Sequence, residues 1–184
     1  YNKGVKAILK NKCDKVKVFG TVSNVITVPT GLETAIEVAL SSSIQNIIVD
    51  NEKTAQEMIN YLKNENIGRA TFLPLSTIKG RKVNFSSELS QINGFVGFAS
   101  KLIKYDEMFN NVISFLLGRI IICTNLKVGT EIAKKTGYTF KLVTLDGDVI
   151  NAGGSYTGGS RNVLNNGIIS RKNELADLSE KVKI

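Results

Sequence analysis

The sequence predicts two related small subdomains, each mixing helices with short strands, flanked by helical stubs. Two observations carry this. A helix–strand–helix–strand order occurs twice, with Ile47-Ile48-Val49 matching Ile120-Ile121-Ile122 and Phe72-Leu73-Pro74-Leu75 matching Leu142-Val143-Thr144-Leu145. A repeated unit of that kind favours paired subdomains over one continuous sheet. Apolar residues at helical spacing also occupy both ends of the chain. With 184 residues, 42% of them hydrophobic and 22% charged, the chain is long enough to bury a core without a disulfide or metal staple.

The elements follow in order. Tyr1, Val5, Ile8 and Leu9 form one helical face over residues 1–10. Lys15 to Val28 alternates with β-branched residues and predicts strand, interrupted at Gly20 and Ser23-Asn24. Leu32, Ala35, Ile36, Ala39 and Leu40 then share a helical stripe, and Ile44 to Val49 is strand-like. Asp50 or Asn51 caps a helix over Glu52–Asn64 whose stripe is Ala55, Met58, Ile59 and Leu62. Ala70 to Leu75 predicts a strand, and the polar stretch 76–94 a connector. The second pass places a helix over Phe109–Leu117, a strand over Ile120–Cys123, a helix from a Thr124-Asn125 cap to Lys135 and a strand over Phe140–Leu145. Asp146-Gly147, between that strand and Val149-Ile150, is the residue pair of a tight hairpin turn. Ile168, Leu175 and Val182 recur every seven residues, with Leu178 at an intervening position and Arg171 breaking the other, like the stub of a coiled coil.

Histidine is absent, which removes Ser-His-Asp and Cys-His catalysis and histidine metal ligation. Cys13 and Cys123 are too far apart in sequence for a chelating pair; two buried free thiols in a reducing compartment are expected. No apolar run approaches the roughly 18 residues that span a bilayer. The start at Tyr1, without signal peptide or initiator methionine, reads as a cytoplasmic fragment excised from a longer chain.

The charge is 24 basic against 16 acidic residues, net +8. It is concentrated at the start, where Lys3, Lys6, Lys10, Lys12, Lys15 and Lys17 face Asp14 alone. Lys79, Arg81 and Lys82 form a weaker set, and Arg161, Arg171 and Lys172 another. Such clusters suit contact with a phosphate backbone, because each neutralised phosphate releases a counterion. Lysine-rich ends that keep a chain soluble are the competing explanation.

The segment Gly153-Gly154-Ser155-Tyr156-Thr157-Gly158-Gly159 is the strongest local feature. It is not a P-loop, since no Gly-Lys pair occurs in the chain, and it does not fit GxGxxG. Glycines let one backbone approach another closely, so an interface is the favoured functional reading, with a flexible linker as the alternative. Asp146 and Asp148 read as turn residues in preference to a metal-binding pair, Glu33 and Glu37 as a solvated helix face, and Ser41-Ser42-Ser43 has no base beside it in sequence. No catalytic constellation and no metal site emerges.

Taken together, several segments resemble the hinge domain of bacterial SMC (structural maintenance of chromosomes) proteins. They are Thr34-Ala35-Ile36-Glu37-Val38-Ala39-Leu40, Gln45-Asn46-Ile47-Ile48-Val49, Gly68-Arg69-Ala70-Thr71-Phe72-Leu73-Pro74-Leu75, Val143-Thr144-Leu145-Asp146-Gly147-Asp148 and the glycine segment, in the family's order over about residues 15–160. The resemblance implies an α+β, two-subdomain hinge at the end of a long antiparallel coiled coil. Residues 1–14 would end one arm, 15–94 and 95–164 would be the subdomains, and 165–184 would begin the second arm. It implies homodimerisation, with Gly153, Gly154, Ser155, Thr157, Gly158 and Gly159 where one subunit's strand meets the partner's. It also implies a parent ATPase whose ATP and magnesium sit in distant head domains, so this fragment itself takes no cofactor. Two departures stand out: Ser41-Ser42 where the family has glycine after Ala-Leu, and Arg161-Asn162-Val163-Leu164 where the family is often lysine-rich.

The expectation is therefore a dimerisation module for chromosome condensation and segregation, cytoplasmic and chromosome-associated. It would make weak, sequence-independent DNA contact through Lys3, Lys6, Lys10, Lys12, Lys15, Lys17, Arg161, Arg171 and Lys172, and would have neither a membrane nor a small-molecule partner. The alternatives are a small enzyme with a nucleotide or phosphate site at the glycine segment, and a monomeric nucleic-acid-binding module.

Overall fold

A computed structural model describes residues 1–11, 18–161 and 167–182. Along these run α1 (Lys3–Lys10), β1 (Val18–Thr21), α2 (Val22–Val25), β2 (Ile26–Thr27), α3 (Glu33–Leu40), β3 (Ile47–Val49), α4 (Glu52–Asn64) and β4 (Phe72–Pro74). There follow β5 (Phe95–Phe98), β6 (Lys104–Tyr105), α5 (Asn110–Leu117), β7 (Ile120–Cys123), α6 (Leu126–Lys135), β8 (Lys141–Thr144), β9 (Val149–Ile150), β10 (Tyr156–Thr157) and α7 (Ile168–Val182). The fold is α+β, and the helix–strand–helix–strand order occurs twice, as α3-β3-α4-β4 and α5-β7-α6-β8. The repeats do not each make one subdomain: the two compact units are Tyr1–Ile26, Ser42–Gly80 and Tyr105–Leu116, and Thr27–Ser41, Arg81–Lys104 and Leu117–Ile184, so the leading helix of each repeat belongs to the unit of the other.

The first unit is built on a three-stranded sheet in the order β1-β3-β4. β3 and β4 are parallel, with Ile47 opposite Phe72, and α4 makes the crossover. The Asn51 side chain starts α4 by accepting from the Thr54 N–H at 3.0 Å. Val5 and Ile8 of α1 bury against Ile47, Val49 and Leu62, with Leu9 partly buried beside them, so most of the apolar stripe predicted at the start of the chain belongs to this unit's core; Tyr1, the fourth member, precedes α1 and is exposed. The strand predicted from Lys15 gives way after Thr21 to the short turn of α2, where Asn24 Oδ1 accepts from the Thr21 N–H at 2.9 Å. Lys15 and Lys17, like Lys12 and Cys13, lie outside the described residues.

The second unit carries a five-stranded sheet in the order β10-β9-β8-β7-β5. β7 and β8 are parallel, Ile120 opposite Lys141, and α6 crosses between them. Asn125 caps α6 by accepting from the Val128 N–H at 3.0 Å. All of β7 is buried, as expected of a strand enclosed on both faces. The core joins Ile121, Cys123, Leu142 and Ile150 to Ile132 and Ala133 of α6. Leu89 and Ile92 belong to it too, so the end of the polar stretch 76–94 is a packed element as well as a connector.

The β8–β9 hairpin is wider than the two-residue turn expected of Asp146-Gly147. Gly147 N–H donates to Thr144 O at 3.0 Å and Thr144 N–H to Asp148 O at 2.9 Å. The turn is centred on Leu145-Asp146, and Gly147, with φ +92°, takes the left-handed position that follows.

Candidate dimerisation edge

The glycine segment forms an open sheet edge. β10 lies antiparallel to β9, with Tyr156 opposite Ile150 and Thr157 opposite Val149. In this register Asn151 N–H donates to Ser155 O at 2.7 Å. Antiparallel pairs alternate between bonded and non-bonded positions, so 151/155 and 149/157 are the bonded pairs. Tyr156 therefore turns its own N–H and C=O away from β9. Residues 155–161 are exposed, and β10 ends the sheet with no neighbour on its outer side among the described residues.

Contacts within the chain fix this edge. A Cβ at Gly158 would fall on the Asp148 carboxylate, and Asp148 Oδ1 accepts from the Gly159 N–H at 3.2 Å. Asp148 thus serves the edge as a backbone anchor, consistent with its reading as a turn residue. A Cβ at Gly154 would meet the Tyr138 ring at 3.6 Å. Gly153, Gly154, Ser155, Thr157, Gly158 and Gly159 are brought together on one edge with Tyr156, whose hydroxyl shares a hydrogen bond of 2.9 Å with Thr130 Oγ1. Sequence reading left out Tyr138, which lies 15 residues before Gly153 and carries no local sign of the contact.

The basic residues fall in separate places. Lys3, Lys6 and Lys10 are exposed along α1, and their spacing forms one stripe opposite Val5 and Ile8. Arg161 is exposed with its guanidinium beside Gly147. Arg171 is exposed on α7 and Lys172 is half-buried, its pKa lowered by desolvation.

Glu33 and Glu37 are not the solvated face expected of them. Glu37 Oε1 accepts from the Ile169 N–H at 3.0 Å, at the start of α7. Glu33 Oε1 accepts from Asn173 Nδ2 at 2.9 Å, and the same amide reaches Val28 O at 3.2 Å. Burial pushes the Glu33 carboxyl up, but bonds from Asn173 and from the Glu33 and Gly31 backbone outweigh it and leave the pKa lowered. The two carboxylates fasten α7 to α3. Beyond this clamp, Leu175, Leu178 and Val182 of the predicted heptads are exposed at 67%, 57% and 84%.

Among the described residues, a cavity of about 220 Å³ is lined by Asn2, Ser42, Gln45, Asn46 and Arg69 and one of about 390 Å³ by Phe85, Glu88, Lys135 and Phe140 among others. Residues 153–159 line neither. Among the described residues no group of three or more Cys, Asp or Glu side chains could hold a metal ion, and no helix is long and apolar enough to cross a membrane.

The family model for the SMC proteins Flexible Hinge Domain matches residues 15–133. The chain belongs to the SMC hinge family. The Chromosome partition protein Smc of Clostridium kluyveri is 44% identical to this hinge over 188 residues, covering 100% of the chain, and that of Bacillus subtilis is 40% identical over 184 residues, covering 99%. The hinge spans 16% of the length of each of these relatives. Among solved structures, the Geobacillus stearothermophilus SMC hinge domain, crystallised as an asymmetric dimer, superposes with a TM-score of 0.88 at 42% identity, covering 100% of this chain and 74% of that one. The Pyrococcus furiosus SMC hinge domain gives 0.71 at 29%, covering 90% and 85%.

Proposed function

We propose that the chain is the homodimerisation hinge of an SMC chromosome-organising ATPase, joining two coiled-coil arms for chromosome condensation and segregation. The observation that carries this reading is the open β10 edge, whose outward backbone groups at Tyr156 are placed to pair with a strand of a second copy. The dimeric Geobacillus hinge supports it. The hinge contributes association and no catalysis; ATP and magnesium belong to head domains outside this chain, and the assembly works on the chromosome in the cytoplasm. Sedimentation equilibrium tests the reading. The chain should sediment at about twice 20.1 kDa, and Tyr156→Pro, which removes the outward N–H at a position an edge strand tolerates, should stay folded and dimerise roughly tenfold more weakly. Tyr156→Ala, which keeps the N–H, should remain dimeric. A monomeric parent, or a proline variant that dimerises as tightly as the parent, overturns it.

A second contact, with the DNA backbone, is favoured by the exposed stripe of Lys3, Lys6 and Lys10. The contact would also use Lys12, Lys15 and Lys17, with Arg161, Arg171 and Lys172 adding weaker points. Anisotropy of a labelled duplex should show affinity falling by orders of magnitude between roughly 50 and 200 mM salt. Binding indifferent to salt would remove the contact.

A further inference from the structure

Tyr138 stands out as a bulky residue held in the left-handed region, with φ +56°, where side chains other than glycine, asparagine and aspartate are rarely found. It follows Gly137 at the end of α6, and its N–H closes that end by donating to Ala133 O at 2.8 Å. Ending a helix needs no tyrosine here, and glycine would take the same backbone without strain. What the tyrosine adds lies in the glycine segment. The Tyr138 carbonyl accepts from the Gly153 N–H at 2.8 Å, and its ring lies 3.6 Å from where a Gly154 Cβ would stand. The turn continues through Gly154 N–H to Asn151 O at 3.0 Å and leads directly into β10. On the far side of the same loop, the Tyr156 hydroxyl is tied to Thr130 Oγ1 on α6 at 2.9 Å. Hydrogen bonding with Tyr156 is the largest influence pushing the Tyr138 phenol up, ahead of burial. An exposed two-residue edge strand with several glycines around it has little stability of its own. Strained residues that persist in a fold point to a site where the surroundings hold them for a purpose.

We propose that Tyr138, assisted by Thr130, is the positioning residue that holds the 151–155 turn and β10 against α6 in the register a partner strand requires. The inference rests on the strand-edge dimer argued above. Without this support the edge must be ordered at the moment of association, and that ordering weakens binding.

The test compares the parent with Tyr138→Asn and Thr130→Val, measuring the dimer constant by sedimentation and amide exchange at residues 151–157. Asparagine accepts the left-handed backbone, so Tyr138→Asn should remain folded, exchange faster at Gly153 to Thr157 and dimerise roughly tenfold more weakly. Tyr138→Phe, which keeps the ring and the carbonyl, should restore parental dimerisation. A lowered thermal midpoint with unchanged dimer constant and unchanged exchange would reduce Tyr138 to core packing and overturn the proposal. If Tyr138→Asn fails to fold, Thr130→Val decides, since it removes only a surface hydroxyl: faster exchange at Tyr156 and Thr157 with a weaker dimer supports the proposal, and parental values overturn it. Should the parent itself be monomeric, the dimer reading falls and the positioning role falls with it, yet the exchange comparison still reports separately whether Tyr138 orders the edge.

Discussion

Ser41 holds φ +51° and ψ −133° at the end of α3, a backbone region where a Cβ is crowded and glycine is at ease. The resemblance to SMC hinges already places a glycine in this neighbourhood, after the Ala39-Leu40 pair, and the dihedral angles supply the reason. Ser41→Gly should stabilise the chain by about 1 kcal/mol, read as a shift in the urea midpoint with unchanged slope. Cys123 is a second residue whose behaviour follows from its surroundings. Burial pushes its thiol up to about 11, only partly offset by the Asn125 backbone. The folded thiol stays neutral while an unfolded one ionises near pH 8.5. Its contribution to stability is therefore complete below about pH 8.5 and is lost as pH rises from there through about 11. In a Cys13→Ser background, maleimide at pH 8 should leave Cys123 unmodified until denaturant is added. The buried position of Cys123 was legible from the run Ile120-Ile121-Ile122-Cys123; the strain at Ser41 was not, because a dihedral angle leaves no mark on composition.

Among the elements, α7 depends on groups far away in sequence. The Glu37 carboxylate at its start and the Glu33–Asn173 bond one turn further on join residues 132 and 140 positions apart. Glu37→Ala should cost about 1 kcal/mol, as loss of a helix cap does, and should speed amide exchange at the beginning of α7. Because the Glu33 pKa is lowered, its share of the clamp is present above about pH 4.3, where an unfolded glutamate is ionised, and fades as pH falls through the lower folded value. Helical protection of α7 measured across that range checks the sign. Sequence periodicity found both repeated units, and Asn51 and Asn125 announced their helices, because caps and apolar stripes act over a single turn. The Glu33–Glu37 pair was misread for the opposite reason: spacing shows a shared face, and nothing local reveals what docks there. β5 escaped notice as well, its four residues carrying Gly97 at φ +153° and a register shift against β7.

At the scale of the whole molecule, each compact unit is assembled from three stretches of chain. Separating residues 1–94 from 95–184 takes Tyr105–Leu116 from the first unit and Thr27–Ser41 from the second. Neither fragment alone should melt cooperatively by circular dichroism, and mixing the two should restore a cooperative transition; a sharp melt from either fragment alone would contradict this. The glycine segment was legible as an interface, but its placement at the end of a five-stranded sheet depends on pairings between residues distant in sequence. The shortness of that edge has one more consequence. Gly153, Gly154 and Gly159, at φ +94°, +108° and +131°, turn the chain on either side of Tyr156-Thr157. A strand laid alongside finds the N–H and C=O of one residue facing outward, and each such bond is worth roughly 0.5–1.5 kcal/mol net. Backbone pairing can set the alignment of two copies, while the strength of their union has to come from side chains buried around it. So brief a template also gives a growing fibril nothing to copy. Concentrated solutions should stop at a fixed stoichiometry and stay dark to an amyloid dye.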